Sequence, residues 1–442
     1  MSCLKYLFFF LFVNAQLVVD ACTLVAVSGK ATADGRPLLL KNRDSDTWDL
    51  QIKIGQGSKY MYLCQCKVPD GSAYSGFNEA GFSIINSNSR NMSNSDYSQN
   101  AYIMQLALER CATVDEFENL LDTIQKPISV RSNYGVMDTN GNVAIFETNA
   151  YSYTKFDAAE TENGYLIRSN FSFSPISSGA DIPNQYSYNR YKIASTYIEK
   201  LYSLNGFITK EDLFNLTRCL VNSMEENLCD IAPFNENVYT PVDFSDYIPR
   251  YATTSMMVIQ GVLPDESPKM TIAWTAIGPP VATVTVPYLM TPRQSLPQKS
   301  KMGSDGHAWF CHQGQLLKKK CFVNSTTLDL AKLYNLSGTG VMQKIMEIEE
   351  AILNRGDDLV QKIRTSEASD NDAELYYEWV DNYVEEQYDL ITPIKTVHKD
   401  MQEDGEVKHF DLFGRRVNGV RSDAIIKKNG NIELLLNSSG KL

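Results

Sequence analysis

The chain has 442 residues, 43% of them hydrophobic, and a formal net charge of -12 at pH 7. That length and apolar content can build a large core and leave room for two domains. The acidic balance argues against a nucleic-acid partner, because phosphate binding needs clustered Lys and Arg.

The first element is a leader. Lys5 gives a positive n-region, residues 6–13 an apolar h-region, and Val19-Asp20-Ala21 a small-residue cleavage site. Asn14, Gln16 and Asp20 interrupt the apolar run, which is too short for a hydrocarbon core that needs roughly 20 apolar residues. Residues 1–21 therefore read as a signal peptide. The mature chain is expected to be exported, secreted or periplasmic, without stable membrane insertion. Cleavage after Ala21 makes Cys22 the first residue, with a thiol and a free α-amine on one residue. The competing reading is a lipobox cysteine, in which an acylated Cys22 anchors a non-enzymatic exported lipoprotein and its amine is blocked.

Residues 22–28 read as a strand, Ala33-Asp34-Gly35-Arg36-Pro37 as a turn, and residues 37–42 as a second strand. Asp-Gly between two apolar runs is a hairpin signal, and this hairpin folds Lys41-Asn42-Arg43-Asp44 back beside Cys22. Extended runs follow at 51–54 and 59–65. A turn over 78–81 and a buried strand over 82–85 deliver Asn86 and Asn88, whose amides either stabilise an oxyanion or cap a turn. Residues 102–111 are amphipathic, and Thr113-Val114-Asp115-Glu116 is a capping box opening a helix to about 124. Strands are expected at 132–138, 143–146, 151–156 and 165–167, the last leading into Arg168-Ser169-Asn170-Phe171. Helices follow at 191–203 and, after the box Thr209-Lys210-Glu211-Asp212, to about 224. The last strands are 254–260, 270–275 and 282–286. Blocks of strands separated by blocks of helices give an α+β protein with antiparallel sheets and helices outside them.

Residues 292–304, rich in Pro, Ser, Gln and Lys, read as a linker or surface loop. Beyond them Val341, Ile345, Ile348 and Ile352 keep helical spacing, with Gly356 as the stop. A further helix is expected at 373–389, and short strand-like runs such as 432–436 close the chain. The organisation is thus a core over 22–295 and a linker with a mainly helical extension over 296–442. Of nine cysteines, Cys219 with Cys229 and Cys311 with Cys321 are plausible local disulfides for an oxidising compartment. Cys64 and Cys66 share a strand face too closely to pair with each other. Histidines at ligand spacing are lacking, so no metal and no cofactor are expected.

A conventional cysteine hydrolase needs a histidine to deprotonate its thiol. All four histidines, His307, His312, His398 and His409, lie beyond the strand-rich region, so a Cys-His pair with His307 or His312 would be assembled across residues 292–304. An N-terminal cysteine avoids this, since an α-amine titrates near pH ~8 beside its own side chain.

Cys22-Thr23 at the head of a strand, Lys41-Asn42-Arg43-Asp44, Gly76-Phe77-Asn78-Glu79-Ala80-Gly81 with Asn86 beyond it, and Trp274-Thr275-Ala276-Ile277-Gly278-Pro279-Pro280 carry a resemblance. Over residues 22–290 the chain resembles the N-terminal-nucleophile hydrolases of the penicillin-acyltransferase and choloylglycine hydrolase group. The resemblance implies a four-layer αββα sandwich of two antiparallel sheets, with Cys22 as nucleophile at the end of a central strand. It also implies that Asp44 lies beside Cys22, in a pattern that is usually Arg-Asn-x-Asp. Here Lys41 stands in the arginine's place and an arginine appears at position 43; the two side chains are not equivalent. By the same resemblance Asn170 and Asn86 are the oxyanion asparagines and Arg250 the distal arginine. The implied activity is amide hydrolysis or acyl transfer on a small N-acyl substrate, at a linear, non-peptide C–N bond. Bile-acid conjugates, N-acyl amino acids, acylated amines and β-lactam side chains all fit, and oligomerisation is left open.

Overall fold

The structure, a computed structural model, describes residues 21–391 apart from 70, 72, 94–95, 223–231 and 292, and three short strands between 409 and 434. Residues 1–20 of the leader, Cys229 and His398 lie outside the described residues. In chain order the elements are β1 (Ala21–Val27), β2 (Leu38–Asp44), β3 (Leu50–Gln56), β4 (Met61–Lys67), β5 (Ala73–Asn78), β6 (Ser83–Asn88), α1 (Asn100–Arg110), α2 (Val114–Thr123), β7 (Ser132–Met137), β8 (Val143–Thr148), β9 (Tyr153–Asp157), β10 (Tyr165–Arg168), α3 (Tyr188–Asn205) and α4 (Lys210–Leu216). They continue with β11 (Pro241–Asp243), β12 (Thr253–Gln260), β13 (Ile272–Ala276), β14 (Val286–Leu289), α5 (Trp309–Cys321), β15 (Thr327–Asp329), α6 (Leu330–Leu333), α7 (Val341–Arg364), α8 (Asp370–Ile391), β16 (His409–Phe410), β17 (Ile425–Lys428) and β18 (Asn431–Leu434).

Strands β3 to β9 form a seven-stranded antiparallel meander in sequence order. A six-stranded antiparallel sheet runs β10-β1-β2-β12-β13-β14, which puts the β1–β2 hairpin in its interior. Both hairpin strands are buried along their whole length, so alternate residues face two different cores. Val25, Val27, Leu38 and Leu40 pack with Ile193 and Ile198 of α3, Leu213 and Phe214 of α4, and Trp274. The other face meets the meander. Gly135 of β7 leaves room for Ile85, its partner on β6, where an added Cβ would lie 2.9 Å from Ile85, while Leu39 of the facing sheet packs at an ordinary 3.8 Å. On the meander's far side, Ile103, Met104 and Leu108 of α1 and Phe117 and Leu121 of α2 pack on Ile84, Tyr134, Val136 and Phe146. The result is the four-layer αββα sandwich.

Thr209 closes the expected reciprocal box with Asp212, whereas at Thr113 only half of the expected box forms: Thr113 accepts from the Glu116 N–H, but the Glu116 carboxylate takes the Ala112 N–H instead of that of Thr113. Other expectations are corrected. The strand expected at 282–286 begins only at Val286, after a Gly278-Pro279-Pro280 stretch whose prolines lack the N–H a ladder needs. Helix α4 stops at Leu216 rather than near 224. Gly356 does not end its helix; α7 continues to Arg364, and the missing side chain lets Pro287 pack where a Cβ would be 2.8 Å away. Cys311 and Cys321 sit at opposite ends of α5, ten residues and about 15 Å apart along the axis, and both are free thiols. Cys229, the expected partner of Cys219, lies outside the described residues.

The helical extension is present, but it is not set apart by a linker. Val360 of α7 belongs to the core beneath the six-stranded sheet, with Leu353 and Ile363 packed beside it. Strand β15 pairs with β11, and Asp381 of α8 accepts the Gln298 and Lys299 N–H groups at 2.7 and 3.0 Å, docking the 292–304 stretch. The strongest tie is a buried, two-pronged ion pair. Arg218 donates from both terminal nitrogens to Glu349 of α7 at 2.6 Å each, and its Nε donates to the Pro280 carbonyl. The described residues up to Asp381 form one compact unit and those after it a second, the boundary falling within α8; the second carries the antiparallel sheet β16-β17-β18. Among the described residues no helix is long and apolar enough to cross a membrane.

Replacing Glu349 by Gln leaves the buried Arg218 charge without its counter-ion, and is expected to cost about 3–5 kcal/mol, read as a lowered midpoint in denaturant unfolding. Breaking the exposed Lys344–Glu347 pair should cost less than about 1 kcal/mol in the same measurement.

Candidate active site

The site is set by one register. In the β1–β2 ladder Cys22 lies opposite Arg43, Leu24 opposite Lys41, and Ala21 opposite Asp44. Cross-strand partners share a face, so Cys22, Lys41 and Arg43 point to the meander while Thr23, Asn42 and Asp44 point to the helices. At the end of the hairpin a cavity of about 240 Å³ is lined by Cys22, Lys41, Arg43, Asp44, Tyr74 and Asn86, with Asn88, Tyr97 and Asn100 among its other walls.

Cys22 is held at its nitrogen. Its N–H donates to Asn170 Oδ1 at 2.8 Å, and Asn170 Nδ2 donates to the Asn88 carbonyl at 2.9 Å. Asn170 thus presents its carbonyl oxygen, not its NH₂, to Cys22. Burial pushes the Cys22 thiol up; the Lys41 charge pulls it down, the Asp44 carboxylate adds to the rise, and Arg43 and the Asp44 backbone N–H oppose it.

Asp44 is buried and fully engaged. Its Oδ2 accepts from Arg250 Nε at 2.7 Å and lies 3.8 Å from Arg190 Nη1. Its Oδ1 accepts from Thr253 Oγ1 at 2.7 Å and Asn42 Nδ2 at 3.3 Å. Arg190 also donates to the Cys22 carbonyl at 3.0 Å and to Asn170 Oδ1 at 2.8 Å. Burial, reinforced by the like charge of Arg250, pulls the Arg190 guanidinium down to about 10. Burial also works against Arg250, but Asp44 and Tyr186 hold it above its ordinary value. On the other face Lys41 Nζ donates to Asn86 Oδ1 at 2.7 Å and to the Tyr74 carbonyl at 2.5 Å. Asn86 Nδ2 donates to Ser132 Oγ at 3.1 Å, and its second N–H makes no bond to a described residue.

All five residues singled out in the sequence meet here. Cys22, Asp44 and Asn86 line the cavity, and Asn170 and Arg250 stand one hydrogen bond behind it. Arg190 was missed. Its signal was a charge on the buried stripe of α3, three, four and seven residues before Ile193, Ala194 and Tyr197. His307 pairs with Asp49 at 2.7 Å and stacks on Trp48; neither it nor His312 is among the residues lining the cavity.

The site thus lies between two antiparallel sheets with helices outside both, and its cysteine stands near the head of an interior strand. Residues 31–237, just under half of the chain, are similar to the family acyl-coenzyme A:6-aminopenicillanic acid acyl-transferase. The matched stretch holds Lys41, Asp44, Asn86, Asn170 and Arg190, and leaves out Cys22 and Arg250. No curated protein matches the chain. Similar solved structures include penicillin V acylase from Agrobacterium tumefaciens, at 15% identity and a TM-score of 0.36, covering 61% of this chain and 86% of that one. The Caenorhabditis elegans ortholog of N-acylethanolamine-hydrolyzing acid amidase has 14% identity and a TM-score of 0.35, over 55% and 94% of the two chains. A variant of conjugated bile acid hydrolase from Clostridium perfringens has 15% identity and a TM-score of 0.37, over 61% and 92%.

Asp44→Ala leaves Arg190 and Arg250 buried side by side without a counter-charge. It is expected to cost about 3–5 kcal/mol in denaturant unfolding, and Asp44→Asn, which can still accept hydrogen bonds, should cost less.

Proposed function

We propose that the protein is an exported cysteine hydrolase of the N-terminal-nucleophile kind, which cleaves a linear, non-peptide amide through a thioester on Cys22, with water or a second amine as acceptor. The observation that carries this reading is the pairing of Cys22 N with Asn170 Oδ1 while the Cys22 side chain lines a cavity. Removal of residues 1–21 turns that nitrogen into an amine of ordinary pKa near ~8, the base nearest the thiol.

The chemistry then follows from the surroundings. The amine takes the Sγ proton, and Asn170 Oδ1 and Arg190 hold the amine and the Cys22 carbonyl in place. The thiolate, favoured by the Lys41 charge, attacks the substrate carbonyl. The unengaged Asn86 N–H is the donor for the oxyanion, its amide fixed from behind by Lys41. When the tetrahedral adduct collapses, the C–N bond breaks and the leaving nitrogen takes the proton from the Cys22 ammonium. Water or an acceptor amine then attacks the thioester and returns the proton to Sγ. Activity as an acyltransferase depends only on which acceptor enters.

Three outcomes are expected in an assay of amine release from a panel of N-acyl compounds. Cys22→Ser loses most of the activity. Asn86→Ala lowers kcat by about 100-fold or more. A protein with Ala21 still attached is inactive, and full turnover by that protein, or a diacylglyceryl adduct on Cys22 in the intact mass of the N-terminal peptide, would overturn the reading.

A further inference from the structure

We propose that Arg43 selects the substrate, and that the substrate it selects is an N-acyl amide carrying a carboxylate a few bonds from the scissile carbonyl; this rests on the reading of Cys22 as nucleophile. Arg43 stands directly opposite Cys22 in the ladder, where partner Cβ atoms lie about 5 Å apart. Its side chain is therefore beside any acyl group joined to the sulfur. It is buried, at 5% exposure, yet it lines the cavity.

The guanidinium is clamped from one end. Nη1 donates to the Thr47 carbonyl and to Thr254 Oγ1, both at 2.8 Å, and Cζ lies over the Tyr74 ring, 4.2 Å from its centroid. Nη2 and Nε make no hydrogen bond to a described residue, and Arg43 has no carboxylate within ion-pair distance among the described residues. The nearby acid is taken: Asp44, on the other face of β2, is shared by Arg250 and Arg190. Lys41 is committed to Asn86 and the Tyr74 carbonyl. A cation withdrawn from water without a counter-charge is costly, and here it is pre-ordered with a planar edge left over. Two parallel N–H donors in a fixed plane fit a carboxylate. In a chain of net charge -12, this one concavity holds Lys41 and Arg43 around its nucleophile.

The test uses two pairs of probes with the full chain expressed through a secretory host. One pair places the charge on the amine side (N-benzoylglycine against N-benzoylglycinamide), the other on the acyl side (glutaric acid monoanilide against pentananilide). The carboxylate member of at least one pair is expected to exceed its neutral counterpart in kcat/KM by about 10- to 100-fold, chiefly through KM, and the responsive pair identifies the side. Arg43→Leu should collapse that ratio toward one, and Arg43→Lys should keep part of it. Calorimetric binding to the Cys22→Ala protein supplies a readout that needs neither turnover nor a folded Arg43 variant, and the carboxylate member should again bind more tightly. Equal turnover within both pairs, or equal binding within both, overturns the role of Arg43 and leaves the nucleophile in place. Preferential carboxylate binding with no turnover of any probe by the unaltered protein supports Arg43 and counts against the nucleophile.

Discussion

One carboxylate, enclosed between two guanidinium groups, is the constraint on which this site depends. Asp44 ends β2, Arg190 begins α3, and Arg250 lies in the turn before β12; the charge of Asp44 draws these three parts of the chain to one point. Two buried cations next to each other would repel, and a buried anion alone would take up a proton; together they are stable without solvent. Because Arg190 also holds the Cys22 carbonyl and Asn170, the same cluster fixes the orientation of the first residues of β1. The geometry at Cys22 is therefore inherited from an ion cluster on the opposite side of the strand.

The four residues Lys41-Asn42-Arg43-Asp44 show how a strand divides labour. Its two-residue period sends Asn42 and Asp44 to the helical side, where they anchor structure, and sends Lys41 and Arg43 to the space between the sheets, where the cavity lies. A slip of one residue would exchange these sets, placing the acid beside the thiol and the cations against α3. The uninterrupted burial of β1 and β2 on both faces, and their place inside the six-stranded sheet, make such a slip costly.

Much of this was legible beforehand. The hairpin from Asp34-Gly35, the caps at Thr113 and Thr209 and the segregation of strands from helices rest on local chemistry that a linear sequence displays. Cys22, Asp44, Asn86, Asn170 and Arg250 could be singled out because each sits in a stretch that resembles known enzymes. The partners of those residues could not. Arg190 acts through a helix that reaches the site only when the layers close, and the direction of the Asn170 amide depends on Asn88, which is distant in sequence. The disulfide expected between Cys311 and Cys321 does not form because helix α5 holds the two thiols apart, and sequence spacing does not display that helix. Gly356 reads as a stop in the linear sequence, because what favours glycine there is Pro287 filling the space beside it, a contact that only the fold creates.

The placement of α7 has a consequence for how the polypeptide can be divided. Val360 fills the core beneath the six-stranded sheet, and Glu349 neutralises an arginine that belongs to the first half of the chain. Covalent continuity across residues 292–304 is thus not what keeps the helical segment in position. A protease that severed that stretch would produce two polypeptides on a denaturing gel and one particle in solution, because the interface between the pieces is the interior of the protein.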